Sequence, residues 1–250
     1  MSTLSLIVSS VLICIPIFIS YKEDLGLGKD ILISMTRAII QLVIVGYILQ
    51  FVFSLENPIF TILLVTLMIM NAAFNTKKRS QNIKNPIRTS FIALFSGAFI
   101  TLSILVLSGA INFIPNEIVP VAGMVVSNSM VAINLSYKNL NTTFSSKRNE
   151  VEVKLALGAT AKVASKEILK DSIKLSIMPS IDSAKTLGIV SLPGMMTGLI
   201  LAGSSPLMAI KFQIMVTFMI LSSTSIATLI ATYTSYKSFF NERTQLNLYC

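Results

Sequence analysis

Apolar stretches separated by short polar segments dominate the pattern of this chain. A helix needs about 20 mostly apolar residues to cross the hydrocarbon core of a bilayer, and seven stretches have roughly that length. They lie near residues 3–20, 33–54, 57–75, 89–108, 117–137, 184–203 and 207–234. The short alternating segments of a membrane β-barrel are absent. The pattern therefore predicts an all-α polytopic membrane protein with about seven transmembrane helices.

The composition agrees with this class and argues against catalytic, metal and cofactor sites. Hydrophobic residues make up 53% of the chain, charged residues make up 12%, and the mean hydropathy is +0.77, whereas soluble domains carry about 25% charged residues. Histidine is absent, and the two cysteines, Cys14 and Cys250, have no neighbouring metal ligands in the sequence. We therefore expect no catalytic residue, no metal site and no cofactor.

The basic residues divide unevenly among the polar gaps. The third gap contains five Lys or Arg residues and the fifth contains eight, whereas the second, fourth and sixth contain none. Because Lys and Arg accumulate in cytoplasmic loops, this distribution predicts an external N-terminus and a cytoplasmic C-terminus. The net charge of +9 then reflects topology and attraction to anionic lipid, and we expect no nucleic-acid partner.

The sixth stretch contains the segment "SLPGMMTGLILAG" (residues 191–203). Gly194, Gly198 and Ala202 recur every fourth residue, which places small side chains on one helix face and permits close packing of another helix. Pro193 is expected to kink this helix, because proline removes a backbone hydrogen bond. Two interpretations remain open: static packing, or a helix that pivots during transport.

The fifth stretch carries a polar cluster in "GMVVSNSM" (residues 123–130). Such side chains either form hydrogen bonds between helices or line a path for a transported molecule. For the second interpretation we predict a translocation path formed by the fifth and sixth spans. Its candidate residues are Ser127, Asn128, Ser129, Met130, Pro193, Gly194, Met195, Met196 and Gly198. No acidic residue is expected in mid-membrane, since Asp182 and Lys185 mark only the beginning of the sixth span.

The fifth gap is the longest polar segment and is predicted to be helical. Residues 150–157 and 160–177 favour helices and are separated by Gly158, and Thr160 is placed to cap the second helix. Lysines recur every four residues on one face, whereas apolar residues gather on another face. The lysines are Lys162, Lys166, Lys170 and Lys174. Either this segment lies on the inner leaflet or it docks a cytoplasmic partner.

Several motifs resemble one known family. They are "RAIIQLVIVGYIL", "NAAFNTKKR", "GMVVSNSM", "EVEVKLALGAT" and "MPSIDSAKTLGIVSLPGMMTGLILAGSSPLMAIKFQI". Together they resemble the FetB-like iron-export permeases of ABC transporters, a group that also contains plant aluminium-tolerance permeases, and the resemblance runs over nearly the whole chain. It implies a membrane subunit that pairs with a separately encoded ATPase and moves iron, or an iron chelate, outward.

The resemblance also implies a coupling loop, which ABC permeases mark with Glu-Ala-Ala, three further residues and Gly. Glu152 and Gly158 have this separation, although Val153 and Lys154 replace both alanines and Pro179 follows later than the pattern places its proline. The residues expected to couple to the ATPase are Glu152, Gly158, Lys162 and Lys166.

These observations predict one ABC-permease transmembrane domain over residues 1–250 in the cell membrane. Within it, we expect spans one to five in 1–137, a cytoplasmic coupling loop in 138–183, spans six and seven in 184–234, and a cytoplasmic tail in 235–250. No Walker A loop occurs, so this chain is not expected to be an enzyme, and a homodimer with a separate ATPase is expected. A stand-alone carrier or channel is the alternative, and the cargo could also be another metal, a lipid or a sugar nucleotide.

Overall fold

The structure is a computed structural model that describes residues 8–55 and 57–247. The beginning of the first predicted span, Cys250 and the end of the predicted tail lie outside these residues. The described part is helical and contains no β-strand, only two isolated bridges, Leu187 with Ser191 and Phe240 with Leu246. It divides into two compact units, Met1–Glu56 and Asn57–Cys250.

The first unit is a helical hairpin. A 3-10 helix, Ser10–Ile13, leads into α1 (Cys14–Lys22), and a turn leads to the long helix α2 (Gly28–Leu55). The turn is held by the buried Ser20, whose hydroxyl oxygen accepts a hydrogen bond from the backbone N–H of Leu27 at 3.0 Å.

The second unit is a helical bundle with short connections. Its helices are α3 (Pro58–Thr76), α4 (Pro86–Leu107), α5 (Pro115–Ser146), α6 (Arg148–Ala156), α7 (Ala161–Ala164), α8 (Lys166–Thr186), α9 (Gly194–Leu201) and α10 (Pro206–Ser235). Two further 3-10 helices, Lys77–Arg79 and Tyr236–Phe239, follow α3 and α10.

Proline sets where the long helices of this unit begin. The first residue of α3, α4, α5 and α10 is proline in every case, and proline is favoured there because its fixed φ suits the first turn and its missing N–H needs no partner. Asn57 and Ser205 complete two of these starts, since their side chains accept hydrogen bonds from Ile59 N and Met208 N. Local sequence therefore determines the beginnings of the helices.

Contacts near the helix ends fix the directions of α5, α8 and α10. Ser136 of α5 bonds to Thr232 of α10 at 2.7 Å, and the Phe144 ring stacks on that of Phe239 with centroids 4.3 Å apart, so α5 and α10 end together and run parallel. α8 begins beside α6, which follows α5 directly, because Lys154 of α6 lies 3.6 Å from Glu167 of α8. Thus α8 runs antiparallel to both, from the Phe144 end of the bundle towards the Pro115 end.

Helix α4 packs closely on α10 at Gly97. A Cβ atom added to Gly97 would lie 3.1 Å from the backbone oxygen of Ser223 and 3.3 Å from the Cβ of Ala227. Ala93 and Thr101, one turn to either side of Gly97, are also buried. The small-residue spacing that permits close helix packing in membranes is therefore used here by Ala93, Gly97 and Thr101.

Five helices are long and apolar enough to cross a membrane, and they correspond to the second, third, fourth, fifth and seventh predicted spans. Their ranges are Gly28–Gln50, Pro58–Arg79, Pro86–Leu107, Pro115–Ser146 and Pro206–Phe239. The described part of the first predicted span forms a shorter apolar helix, Ser10–Lys22.

The prediction of a continuous, kinked sixth span over 184–203 is wrong. α8 ends at Thr186, the chain is non-helical from Leu187 to Pro193, and the short helix α9 begins at Gly194. Gly188 has a φ of +80°, which glycine adopts without steric cost, and Pro193 stands at the N-cap of α9 with extended backbone angles. A turn therefore separates α8 from α9, where the sequence predicted one bent helix.

Helices occupy much of the predicted cytoplasmic loop, 138–183, and the predicted bounds of this loop and of the tail stay a prediction. Residues 138–146 continue α5, and most of residues 166–183 belong to α8, which packs along α5 and α10. The expected helix break at Gly158 and the Thr160 cap are confirmed, since Gly158 has a φ of +88° and Val163 N bonds to Thr160 Oγ1. The described part of the tail folds back, and Phe239 and Phe240 are buried.

Candidate functional site

A cleft of about 280 Å³, lined by both apolar and polar residues, lies between α5, α8 and α10, beside the interruption that follows α8. Three serines of α8, an amide on each of the other two helices, and a threonine of α10 provide its polar side chains. These residues are Ser176, Ser180, Ser183, Asn128, Gln213 and Thr217. No charged side chain lines the cleft among the described residues, so it presents neutral hydrogen-bonding groups.

Some of these groups have hydrogen-bonding capacity to spare. The Asn128 side chain donates to the backbone oxygen of Met124 at 2.8 Å, and Ser176 donates to that of Ser172 at 2.6 Å. The buried Oε1 atom of Gln213 has no hydrogen-bond partner among the described residues. A buried polar atom without a partner costs free energy, so the Gln213 amide is suited to accept a hydrogen bond from water or cargo.

The structure brings together only part of the predicted translocation path. Asn128 and Pro193 line the same cleft. Ser129 is buried, and Met130 and Met195 pack against the hydrophobic core of the bundle. The other predicted path residues do not line this cleft: Met196 is half-buried, and Ser127, Gly194 and Gly198 are exposed.

The serines of α8 and Gln213 were missed by the sequence reasoning. A signal for the serines was present, because Ser172, Ser176, Ser180 and Ser183 recur at intervals of three or four residues and so share one helix face. Gln213 has no comparable pattern. Its role in the cleft depends on how α10 packs against the other helices.

Asp182 and Lys185 form an ion pair of 3.0 Å near the C-terminal end of α8, with 58% and 65% of their side chains exposed. Asp182 lies six residues after Ser176 and five before Leu187, which both line the cleft, so it is about 9 Å and 8 Å from these two levels along the helix. Neither Asp182 nor Lys185 lines the cleft. The expectation that the pair marks the beginning of a span stays a prediction, and α8 is not among the five helices that are long and apolar enough to cross a membrane.

The α5 residues that line the cleft give its position along the bundle. It extends along α5 from Asn128 to Leu135, within the stretch between Glu117 and Lys138 that contains no charged residue. This uncharged stretch is as long as the hydrocarbon core of a bilayer requires. Along the bundle axis, Asp182 lies at about the level of the α5 residues that line the cleft.

The small-residue face formed by Gly194, Gly198 and Ala202 meets no neighbour within the described chain. Gly194, Gly198 and Ala202 are exposed, and a Cβ atom added to either glycine would have no atom within 4 Å. No residue of the described chain packs on the glycines of this face, so the predicted close packing, which a second copy of the chain could also provide, stays a prediction. The face remains open on the surface of the unit.

The connection from α6 to α8 forms an apolar tip at the Phe144 end of the bundle. Val153, Leu157 and Val163 are exposed there, and Leu157 exposes 83% of its surface. The tip is attached firmly, because Val151, Ala164 and Ile168 are buried in the core. Among the predicted coupling residues, Glu152 pairs with Arg148 at 2.8 Å, Gly158 forms the turn, and Lys162 and Lys166 are exposed.

One ion pair within α6 and one between α6 and the start of α8 share the Lys154 ammonium group. The Lys154 ammonium group lies 2.6 Å from Glu150 and 3.6 Å from Glu167. The hydrogen bond from Lys154, with its positive charge, lowers the pKa of Glu150, and the hydrogen bond to Glu150 raises the pKa of Lys154. These residues are solvent-exposed, so the pairs orient the segment more than they stabilise it.

The helices and their composition define a multi-pass membrane protein, and comparison with known proteins defines its family. The chain belongs to the family described as uncharacterised protein family UPF0014, whose sequence profile matches residues 3–240. No solved structure matches the chain.

Three relatives cover nearly the whole chain. It is 51% identical over 242 residues to the probable iron export permease protein FetB of Escherichia coli (strain K12), covering 97% of this chain and 93% of that protein. It is 37% identical over 246 residues to the UPF0014 membrane protein YjkA of Bacillus subtilis (strain 168), covering 98% of each. It is 34% identical over 236 residues to the protein ALUMINUM SENSITIVE 3 of Arabidopsis thaliana, covering 94% of this chain and 86% of that protein.

Proposed function

We propose that this chain is the transmembrane permease subunit of an ABC exporter that moves iron, or another metal or metal complex, out of the cytoplasm. A homodimer of the chain would work with a separate subunit that hydrolyses ATP, with the C-terminus in the cytoplasm. The observation that carries this proposal is the 51% identity, over 97% of the chain, to a protein named as a probable iron export permease. The neutral polar cleft supports a transport role.

The apolar tip supports the proposed ATPase partner. Val153, Leu157 and Val163 are exposed at the end of the bundle where the basic connections gather, and exposed apolar groups on a polar surface are suited to a protein contact. Glu152 and Gly158, which match the coupling motif, belong to the same segment. The tip is rigidly joined to α8, which carries the serines of the cleft, so movement at the tip would reach the cleft directly.

A stand-alone carrier is the second candidate, and one observation favours it. Ion- and proton-coupled carriers use ionisable residues within the membrane, and Asp182, which pairs with Lys185 at 3.0 Å, belongs to the helix that carries the cleft serines.

A metal-export assay separates the two candidates. Cells lacking the permease would be loaded with radioactive iron and supplied with the permease alone, with its ATPase, or with an ATPase whose nucleotide-binding lysine is replaced. An ABC exporter lowers cell iron only with the intact ATPase. Export by the permease alone would establish the carrier, and unchanged iron in every strain would exclude iron as the cargo.

A binding assay tests the tip. Leu157→Asp places a charge in the proposed apolar contact, and Gly158→Leu strains a turn with positive φ, so both variants should lose co-purification of the ATPase while reaching the membrane normally. Glu152→Ala should weaken the co-purification of the ATPase. Lys237→Asp is the matched control, because Lys237 is exposed near the end of α10 but outside the tip. Wild-type recovery of the ATPase with both tip variants would contradict this docking surface.

A further inference from the structure

We infer that the surface between α3 and α4 binds an anionic phospholipid, with the headgroup at Lys77 and Arg88 and an acyl chain along three phenylalanines of α4. Both helices are among those that are long and apolar enough to cross a membrane. This site goes beyond the proposed function, because it uses neither the cleft between α5, α8 and α10 nor the apolar tip.

The headgroup would bind in a basic cleft of about 650 Å³, at the end of α3 and the beginning of α4. Two cationic side chains line this basic cleft, those of Lys77 and Arg88, and apolar lining is provided by Met70 and Phe91. Neither cation forms an ion pair with any described residue. Within this part of the chain, no carboxylate therefore neutralises the two positive charges.

The N-terminus of α4 adds a further attraction for an anion. The first backbone N–H groups of a helix have no partner within the helix, and the side chain of the N-cap residue, Asn85, forms no hydrogen bond with them. Such N–H groups and the helix dipole attract phosphate groups. Ile87 and Arg88 belong to this first turn and line the basic cleft, so the helix terminus and the two cations face the same space.

The two cations lie where the uncharged parts of both helices end. Lys77 directly follows the uncharged residues 57–76, and Arg88 directly precedes the uncharged residues 89–116. About 20 mostly apolar residues cross the hydrocarbon core of a bilayer, so charges at the edge of such stretches lie at the level of the lipid headgroups. The basic cleft is therefore at the depth where a phosphate group of a phospholipid is found.

An apolar groove of about 450 Å³ continues from the basic cleft along the same two helices. Phe91, in the basic cleft, stacks on Phe95 with ring centroids 6.1 Å apart, and Phe95 stacks on Phe99 at 5.8 Å. Phe95 and Phe99 line the apolar groove and expose 44% and 61% of their surfaces. On α3, Thr66 of the apolar groove lies one turn before Met70 of the basic cleft, so both walls are continuous.

The combined length of the two parts matches an acyl chain. Arg88 and Phe99 are 11 residues apart, which is about 17 Å along a helix, and one leaflet provides about 15 Å of the hydrocarbon core. A free phosphate ion would use only the charged end, whereas a phospholipid uses both the charged end and the apolar groove. Basic pockets between transmembrane helices bind anionic lipid headgroups in this way.

Tryptophan fluorescence tests the inference, because the chain contains no tryptophan. Phe95→Trp places one reporter in the apolar groove. Leu229→Trp is the matched control, because Leu229 is exposed on α10 and lies eight residues before Lys237, much as Phe95 lies seven residues after Arg88. Each full-length variant would be reconstituted in phosphatidylcholine bilayers that contain a fixed fraction of brominated phosphatidylglycerol or brominated phosphatidylcholine, whose bromine atoms quench a neighbouring tryptophan.

Phe95→Trp should show an apparent affinity for brominated phosphatidylglycerol about threefold or more above that for brominated phosphatidylcholine, whereas Leu229→Trp should show nearly equal values. Equal lipid preference at the two positions would overturn the inference. Absence of quenching at Phe95→Trp by either lipid would also overturn it, since protein would then cover the apolar groove. This comparison changes no charge, and it requires neither metal nor ATPase.

A pair of charge variants tests the headgroup contacts. Lys77→Gln with Arg88→Gln, introduced together into Phe95→Trp, should abolish the preference for phosphatidylglycerol. Lys78→Gln with Lys84→Gln is the charge-matched control and should leave the preference unchanged, because both lysines are exposed in the same connection but do not line the basic cleft. An equal loss in both double variants would assign the attraction to diffuse surface charge and overturn the specific site.

Discussion

Two glycine-bearing helix faces of the bundle have opposite surroundings. At Gly97 of α4, an added Cβ atom would meet a backbone oxygen of α10 at 3.1 Å, whereas at Gly198 of α9 it would meet nothing within 4 Å. Yet the small residues of α9 show the same spacing of four that surrounds Gly97. Such spacing thus indicates that a face is smooth, and only the fold shows whether a helix of the same chain packs on it.

The largest effect is expected from Gly97→Leu. A leucine side chain cannot fit against Ser223 and Ala227, so α4 and α10 should separate, with a loss of about 3 kcal/mol or more of stability. The expected result is little folded protein after detergent extraction, measured by size-exclusion chromatography. Gly46→Leu is the matched control, because nothing lies within 4 Å of Gly46. Normal recovery and thermal stability of Gly97→Leu would contradict the close contact.

A smaller effect is expected from Ser136→Ala. This change removes the 2.7 Å hydrogen bond between α5 and α10, while Thr232 keeps its bond to the backbone oxygen of Thr228. The expected loss is about 1 kcal/mol, which lowers the Tm of a chain of this size by roughly 2–4 °C. Ser127→Ala, at an exposed position on the same helix, should leave the Tm unchanged. An equal shift in Tm for both variants would show that the buried hydrogen bond does not stabilise the protein.

Gly198→Leu should leave the thermal stability of the single chain unchanged, because the side chain enters open space. The same variant then decides between the two interpretations of the small face. Wild-type Tm with lost export would show that the face contacts another molecule or moves during transport. Wild-type Tm with wild-type export would remove any role for close packing at Gly198, and a fall in Tm would contradict the open surroundings.

A small effect on stability is also expected from Pro193→Ala. Pro193 stands outside the helix with extended backbone angles, so alanine restores no helical hydrogen bond, contrary to the kinked-helix prediction. The change in Tm should be smaller than the change expected for Ser136→Ala. A rise in Tm accompanied by slower export would indicate instead that α8 and α9 join into one helix during the transport cycle.

The sequence was sufficient for the parts of the fold that depend on local chemistry. Pro58, Pro86, Pro115 and Pro206 begin helices within three residues of the predicted span starts. The interruption after α8 was missed because hydropathy does not distinguish an apolar helix from an apolar turn. The packing of α8 along α5 and α10 was not predicted, because its lysines draw attention away from the serine face that makes this contact.

Some residues of the candidate site could likewise be predicted from local sequence, and others could not. Asn128 was found because an amide is conspicuous in an apolar stretch, and Pro193 because proline is conspicuous in a helix. The serines and Gln213 gained importance only through packing, since each could equally occupy an ordinary helix surface. The contact of α8 with α5 and α10 depends on the antiparallel course of α8, which no local pattern specifies.

The stacking of Phe144 on Phe239 has a consequence for the order of events during synthesis. The two rings belong to distant parts of the chain, so a ribosome must deliver α10 to the membrane before the end of α5 can be covered. Until then, Phe144 and the segment that leads to the apolar tip lack their final support. A nascent chain that stops before Phe239 therefore displays an aromatic surface to chaperones and proteases, and only a chain extending past Phe240 conceals it.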